Sequence, residues 1–221
     1  MNKGVLAVAI LVLVGVVYLL GGQSGLETET SDDARQGVQK DAAVSPTIGL
    51  IDDARIKAAD TEPGNWLAFG RNYGETRFSP LASINRETVS DLGLAWYKDM
   101  GTSRALEATP IVVDGMMFFT TSWSRVYAVN ARTGETVWSY DPQVPGEWAR
   151  WACCDVVNRG VAVYKGRVFV GSLDGRLIAL DAATGAEVWK INTLTDRSRD
   201  YTITGAPRVA NGKVFIGNGG A

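Results

Sequence analysis

Short apolar runs divided by glycine-bearing turns dominate the chain from about residue 110 to residue 216. In the clearest stretch, Val161–Tyr164, Arg167–Gly171, Arg176–Leu180 and Glu187–Lys190 are strand-length segments separated by Lys165-Gly166, Asp174-Gly175 and Thr184-Gly185. Short strands joined by two-residue glycine turns are antiparallel neighbours, because glycine accepts the positive φ that such turns require. The pattern therefore predicts a four-stranded meander. It recurs: Ala128-x-Asn130-x-x-Thr133-Gly134-x-x-x-Trp138 returns as Ala179-x-Asp181-x-x-Thr184-Gly185-x-x-x-Trp189, every position displaced by 51 residues. The turn Asp114-Gly115 maps onto Lys165-Gly166 in the same way, and Asn211-Gly212 begins a third unit within Arg208–Ile216.

A four-stranded antiparallel meander at fixed spacing is a β-propeller blade, so the predicted fold class is all-β, with about two to three blades present. A closed propeller takes typically 4–8 blades, so the ring is expected to be unclosed and the chain truncated. The Asn or Asp and the Thr-Gly are expected to shape the turn into the outer strand, and Trp138 and Trp189 to pack on the neighbouring blade. The long links Asp141–Asn158 and Ile191–Gly205 are expected on one face of the scaffold.

Upstream the pattern changes. The uncharged apolar run Val5–Leu20 spans 16 residues, or roughly 24 Å as a helix, against a hydrocarbon core of ~30 Å. Residues 1–22 thus read as either a signal peptide or an N-terminal membrane anchor through residues 4–22; Lys3 stays inside and the remainder is exported. Residues 23–47 are polar and mildly acidic, a disordered linker by composition. Residues 48–221 are the folded part. In it, Ile51–Asp60 reads as a short helix stopped by Pro63-Gly64. Asn65–Trp96 is an aromatic, turn-rich lid on the core, with Leu92–Tyr97 a strand.

Charge and composition narrow the chemistry. With a net charge of −2 and no Lys/Arg block, nothing points to nucleic acid. With no histidine and two cysteines, a His-ligated zinc or haem, a four-cysteine metal site and a Ser-His-Asp triad are excluded within the chain. Any metal here would be a hard, oxygen-bound cation.

The two cysteines, Cys153 and Cys154, are adjacent. A bond between them crosses almost no loop and so adds little fold stability, since cross-link stabilisation grows with loop length. If bonded, the pair serves as a rigid, flat, polarisable face. Two reduced buried thiols, or bonds to other chains, are the other readings.

From Ile51 to Ala221 the chain resembles the N-terminal part of the pyrroloquinoline quinone (PQQ)-dependent alcohol dehydrogenases, the methanol- and ethanol-type quinoproteins and quinohaemoproteins. The likeness rests on Asn65-Trp66, Arg77-Phe78-Ser79-Pro80-Leu81, Glu107-Ala108-Thr109-Pro110, the Trp-ending repeats, and Cys153-Cys154-Asp155 with Asn158-Arg159-Gly160. It implies an eight-bladed propeller with PQQ on its axis and hydride transfer from a primary alcohol to the quinone, giving an aldehyde. By this resemblance Cys153 and Cys154 form a disulfide stacked on PQQ. Glu107, Arg159 and Thr204 are polar contacts to it, and Gly219, Gly220 and Ala221 are backbone lining it. An Arg suits that place, because a guanidinium fork binds planar carboxylates bidentately.

The family pattern continues with a Glu ligand for Ca²⁺ or a lanthanide immediately after Ala221, so no metal ligand and no catalytic base is expected within the 221 residues. The resemblance further implies a periplasmic protein, a cytochrome c or quinone as electron acceptor, and an isolated chain without activity. The competing expectation is a non-enzymatic propeller of the same repeat type, serving as an envelope protein-assembly scaffold. That reading explains the repeats but gives adjacent cysteines beside an Arg no purpose.

Overall fold

The computed structural model describes residues 48–219, which belong to one compact unit. The leader or anchor expected at residues 1–22, the linker at 23–47, and Gly220 and Ala221 lie outside the described residues. Among the described residues no helix is long and apolar enough to cross a membrane.

The predicted meanders are present. Strands β1 (Ile111–Val113), β2 (Met116–Thr120), β3 (Val126–Asn130) and β4 (Thr136–Tyr140) form one four-stranded antiparallel sheet in sequence order. Strands β5 (Ala162–Tyr164), β6 (Arg167–Gly171), β7 (Arg176–Asp181) and β8 (Glu187–Asn192) form the second. A hairpin of β9 (Arg208–Ala210) and β10 (Lys213–Phe215) starts a third. The repeat extends to irregularities: the register shifts between Ala128 and Val129 in the first blade and between Ala179 and Leu180 in the second. Each first hairpin turns on two positive-φ residues, Asp114-Gly115, Lys165-Gly166 and Asn211-Gly212, the geometry that matches strand twist.

The turn before each outer strand is built as its residues suggest. Asn130 Oδ1 accepts the amides of Arg132 and Thr133, and Asp181 Oδ1 accepts those of Ala183 and Thr184. Trp138 then reaches the second blade, its Nε1 donating to Ala182 O at 3.1 Å while its ring covers Gly185. Trp189 tilts against Phe169 of its own blade as Trp138 does against Phe118, but it is 41% exposed, with all of β8 on the surface. The second blade is otherwise the better buried, since β6 and β7 lie inside on both faces.

The upstream helix is shorter than expected: α1 spans Asp53–Lys57, and a 3-10 turn follows at Ala59–Thr61. Asp52 caps α1 by accepting the Arg55 amide at 2.8 Å. The helix lies beneath the first-hairpin turns. Arg55 pairs with Glu62 and with Asp114, and Asp53 accepts from Tyr164 Oη and Asn211 N.

The lid expectation holds only in part. Trp66 pairs with Val112 at the edge of β1, and Leu67 is buried. Arg71 is buried too, held by Asp60 and the Ala59 carbonyl. Beyond Arg71 the segment is mostly exposed, including Phe78, Leu81, Ile84, Val89 and Leu92. Leu92–Tyr97 is not a strand. Its apolar residues suit one, but a strand needs a ladder partner, and the segment has none among the described residues. Trp96 alone engages, donating from Nε1 to Ala131 O at 3.1 Å and covering Gly134.

Candidate cofactor site

Strand direction decides where the chemistry-bearing residues gather. With α1 and the two-residue hairpin turns at one end, the β2–β3 and β6–β7 loops and both blade links emerge at the other. The first link folds into a 3-10 turn, Gly146–Trp151. Here Trp148, Val156, Leu173 and Leu194 make a small second core, with Trp148 and Trp151 in edge contact at 4.6 Å. Residues of both blade links and of the β6–β7 loop thus share one apolar cluster, as expected of a common face.

Cys153 and Cys154 stand on this platform. They are bonded to one another across a Cα–Cα distance of 3.8 Å, and both are exposed. The bonded pair leaves a sulfur face open to the outside. Asp155 follows with φ at 71°, a left-handed conformation that Asp tolerates better than most residues. Its carboxylate accepts from Arg104 Nη1 at 2.7 Å and from the Ala105 amide at 3.3 Å. The Val156 amide first, then the Ala105 amide and the Arg104 guanidinium, hold the Asp155 carboxyl below the usual carboxylate range. Asp155 therefore ties the disulfide loop to the segment that carries Glu107.

Arg159 is the centre of the polar side. Its Nη2 pairs with Glu107 at 2.9 Å and its Nη1 donates to Thr204 Oγ1 at 2.8 Å. Both ions keep more than a third of their side-chain surface open. The backbone repeats the link: Arg159 N donates to Thr204 O at 2.9 Å, and Thr109 N donates to Arg159 O at 3.1 Å. Gly160 is required next to it. Its φ is 124°, and a Cβ there would lie 2.9 Å from Thr109 O. Gly219 joins the group through paired backbone bonds to Thr202.

Of the residues singled out from sequence, Glu107 and Thr204 each bond Arg159 directly, and Cys153, Cys154 and Gly219 reach the same face through the loops that carry them. Gly220 and Ala221 lie outside the described residues. Sequence reasoning missed Asp155 and the buried Asn158 as organisers; both stand in the Cys-Cys-Asp and Asn-Arg-Gly stretches, and that adjacency was the available signal. No group of three or more Cys, Asp or Glu among the described residues could hold a metal ion.

The residues present suit PQQ. The sulfur face is open, and the part-exposed guanidinium, already held by Glu107 and Thr204, offers its remaining donors to an anion.

Comparison with known proteins agrees with this chemistry. Residues 66–219 match the family model described as the glucose/ethanol/alcohol dehydrogenase beta-propeller domain, a PQQ family. The chain is 59% identical over 171 residues to the quinohemoprotein alcohol dehydrogenase ADH-IIG of Pseudomonas putida, covering 77% of this chain and 24% of that protein. The solved structure of ADH-IIG superposes with a TM-score of 0.77 at 58% identity, over 78% of this chain and 25% of that one. A 1-butanol dehydrogenase (cytochrome c) of Thauera butanivorans is 59% identical over 193 residues, 87% of this chain and 27% of that protein. A europium-containing methanol dehydrogenase superposes with a TM-score of 0.71 at 40% identity, over 76% of this chain and 29% of that one. The chain spans about a quarter of the length of the curated relatives it matches. It belongs to the PQQ-dependent glucose/ethanol/alcohol dehydrogenase propeller family.

Proposed function

We propose that these 221 residues form the disulfide-bearing side of the PQQ pocket in an exported, metal-dependent alcohol dehydrogenase. The observation that carries this reading is the open Cys153–Cys154 face on the same end as the Arg159–Glu107–Thr204 cluster. In it, the sulfur pair packs against one face of the cofactor rings and Arg159 binds its carboxylate or quinone oxygens. Glu107 orients Arg159 and offers carboxylate oxygens to the same edge, Thr204 presents its hydroxyl, and the backbone from Gly219 to Ala221 lines the rim. PQQ, when bound, supplies the two-electron acceptor that a primary alcohol needs to become an aldehyde.

The metal is Ca²⁺ or a lanthanide, held by residues other than those described; the europium-containing relative supports a hard cation in this family. Electrons leave to a cytochrome c or a quinone, consistent with the cytochrome c named in the Thauera relative. The periplasm is the proposed compartment, and the apolar run Val5–Leu20 is the leader or anchor that places the chain there. An envelope scaffold leaves the open sulfur face and the Arg–Glu–Thr cluster without a task.

Equilibrium dialysis of PQQ against this chain tests the reading. Saturable binding is expected, weakened roughly ten- to hundredfold in Arg159→Ala, the worth of about 1.5–3 kcal/mol for hydrogen bonds to a charged group. Equal retention by chain and variant, or none by either, would overturn it.

A further inference from the structure

Arg159 sits on a loop, yet its peptide is held on both sides. Its neighbour Asn158 is bonded to the surroundings on every side. Asn158 is almost completely buried, at 1% exposure, and every polar group it owns beyond its own amide has a partner. Its Nδ2 donates to Gly171 O at 2.8 Å, at the end of β6, and to Ser124 Oγ at 3.1 Å, in the β2–β3 loop. Its Oδ1 accepts the Gly160 amide at 3.0 Å, reaching around Arg159. Its backbone carbonyl accepts Thr120 Oγ1 at 3.2 Å.

Ser124 is itself fixed. It is fully buried, and its hydroxyl also accepts the Leu173 amide at 3.0 Å. It follows Trp123, whose amide donates to Val156 O at 2.9 Å. Trp123 and Ser124 both carry positive φ, 63° and 57°, a costly conformation for two successive non-glycine residues. The contacts of this loop with Val156 and Asn158 hold that conformation in place. One buried amide thus joins the first blade, the second blade and the loop that presents Arg159. A buried amide with all its bonds made has one low-energy placement, because any shift strands a donor or acceptor without water.

We propose that Asn158 is a positioning residue of the cofactor site: by spanning Arg159 and locking onto both blades, it sets the direction in which the Arg159 guanidinium meets the bound group. This rests on the PQQ reading for what is bound, whereas the hold on Arg159 does not. No carboxylate or aliphatic side chain fills the role. The substitution Asn158→Asp would retain the acceptor for the Gly160 amide but lose both donors, and would set a negative charge against the Gly171 carbonyl. Asn158→Ala would lose acceptor and donors together.

The test follows amide hydrogen exchange residue by residue, together with PQQ dialysis, in this chain and its variants. In Asn158→Ala and Asn158→Asp the amides of Arg159 and Thr109 are expected to exchange at least tenfold faster. Those of Ile178 and Leu180 in β7 keep their protection, and PQQ affinity drops at least tenfold. As a comparison, Val168→Ala in β6 lowers the melting temperature but leaves the Arg159 amide and PQQ affinity as they were.

Unchanged protection at Arg159 and Thr109 in the Asn158 variants overturns the proposal, as does an equal effect from Val168→Ala. If the Asn158 variants lose protection everywhere, Ser124→Ala decides, since it takes one partner from the Asn158 amide, together with the acceptor of the Leu173 amide, and leaves Asn158 itself in place. Selective loosening at Arg159 supports the proposal and none refutes it. Should the unaltered chain bind no PQQ, the cofactor reading fails by itself, and the exchange rates still decide whether Asn158 holds Arg159.

Discussion

Asp53 shows how much one carboxylate can join. It accepts from Tyr164 Oη at 2.6 Å, from Tyr73 Oη at 2.5 Å and from Asn211 N at 2.8 Å, so α1, the segment after Trp66, the second blade and the third hairpin meet on it. The Tyr164 hydroxyl first, then that of Tyr73 and the Asn211 amide, lower its pKa to about 2. The folded value is depressed below the unfolded one, so the stabilisation is present above about pH 4 and is lost as pH falls toward 2. Thermal melts of the chain and of Asp53→Asn should therefore differ at pH 7, with the variant lower. The gap should narrow as pH is taken from about 4 to 2, because the protonated carboxyl no longer exceeds an amide as an acceptor. A gap that stays constant across that window would remove Asp53 from the account. Sequence reading placed Asp53 in a surface helix; its partners lie 20 to 158 residues away, and no local pattern reveals such pairings.

At the scale of the element, the repeated unit is a device for attaching one blade to the next. Trp96 covers Gly134 and bonds Ala131 O; Trp138 covers Gly185 and bonds Ala182 O. The glycine serves two needs here. Gly185 holds φ at 72°, and a Cβ on it would come within 2.6 Å of the Trp138 ring. Gly185→Ala is accordingly expected to cost about 2–4 kcal/mol, left-handed strain and overpacking combined. Trp138→Phe removes the hydrogen bond and strands the Ala182 carbonyl, a loss of about 1–3 kcal/mol. Denaturant unfolding of both variants measures this, and because they act on one contact their effects should combine less than additively. Fully additive losses would mean that the two residues do not act on one contact.

This level was the most legible from sequence, because period, turn chemistry and the tryptophan all point to one meander. Trp96 shows where that legibility ends. Its docking follows the rule of Trp138, but its flanks lack the Asx-x-x-Thr-Gly spacing, and the apolar run Leu92–Tyr97 reads as a paired strand that is not there.

Over the whole molecule, the blades act as a rack that brings three distant pieces of chain to one end: the Glu107 segment, the disulfide loop and the Thr204 link. The residues proposed to face the cofactor stand out in the sequence because Cys-Cys and Asn-Arg-Gly are chemically loaded stretches. The residues that aim them do not, because Asp155, Ser124 and Asn158 work through contacts spanning 13 to 51 residues. The described site is also one-sided. It offers a sulfur face, a guanidinium and a hydroxyl, but no cluster of carboxylates among the described residues to hold a hard cation.

Binding and turnover should therefore separate in this chain. On the proposed reading, a pocket wall with Arg159 in place retains PQQ, whereas taking the alcohol proton needs a base held within hydrogen-bond reach of the substrate. Glu107 does not fill that place while it is paired with Arg159 at 2.9 Å. The 221-residue chain with PQQ and Ca²⁺ or a lanthanide is expected to give no ethanol- or butanol-dependent dye reduction above the protein-free rate. Glu107→Gln should leave that background unchanged while weakening PQQ retention, since the ion pair that squares Arg159 is lost. Alcohol-dependent reduction that saturates with substrate and disappears in Glu107→Gln would instead make Glu107 the base, and would place a working site within the quarter of the family's length that this chain represents.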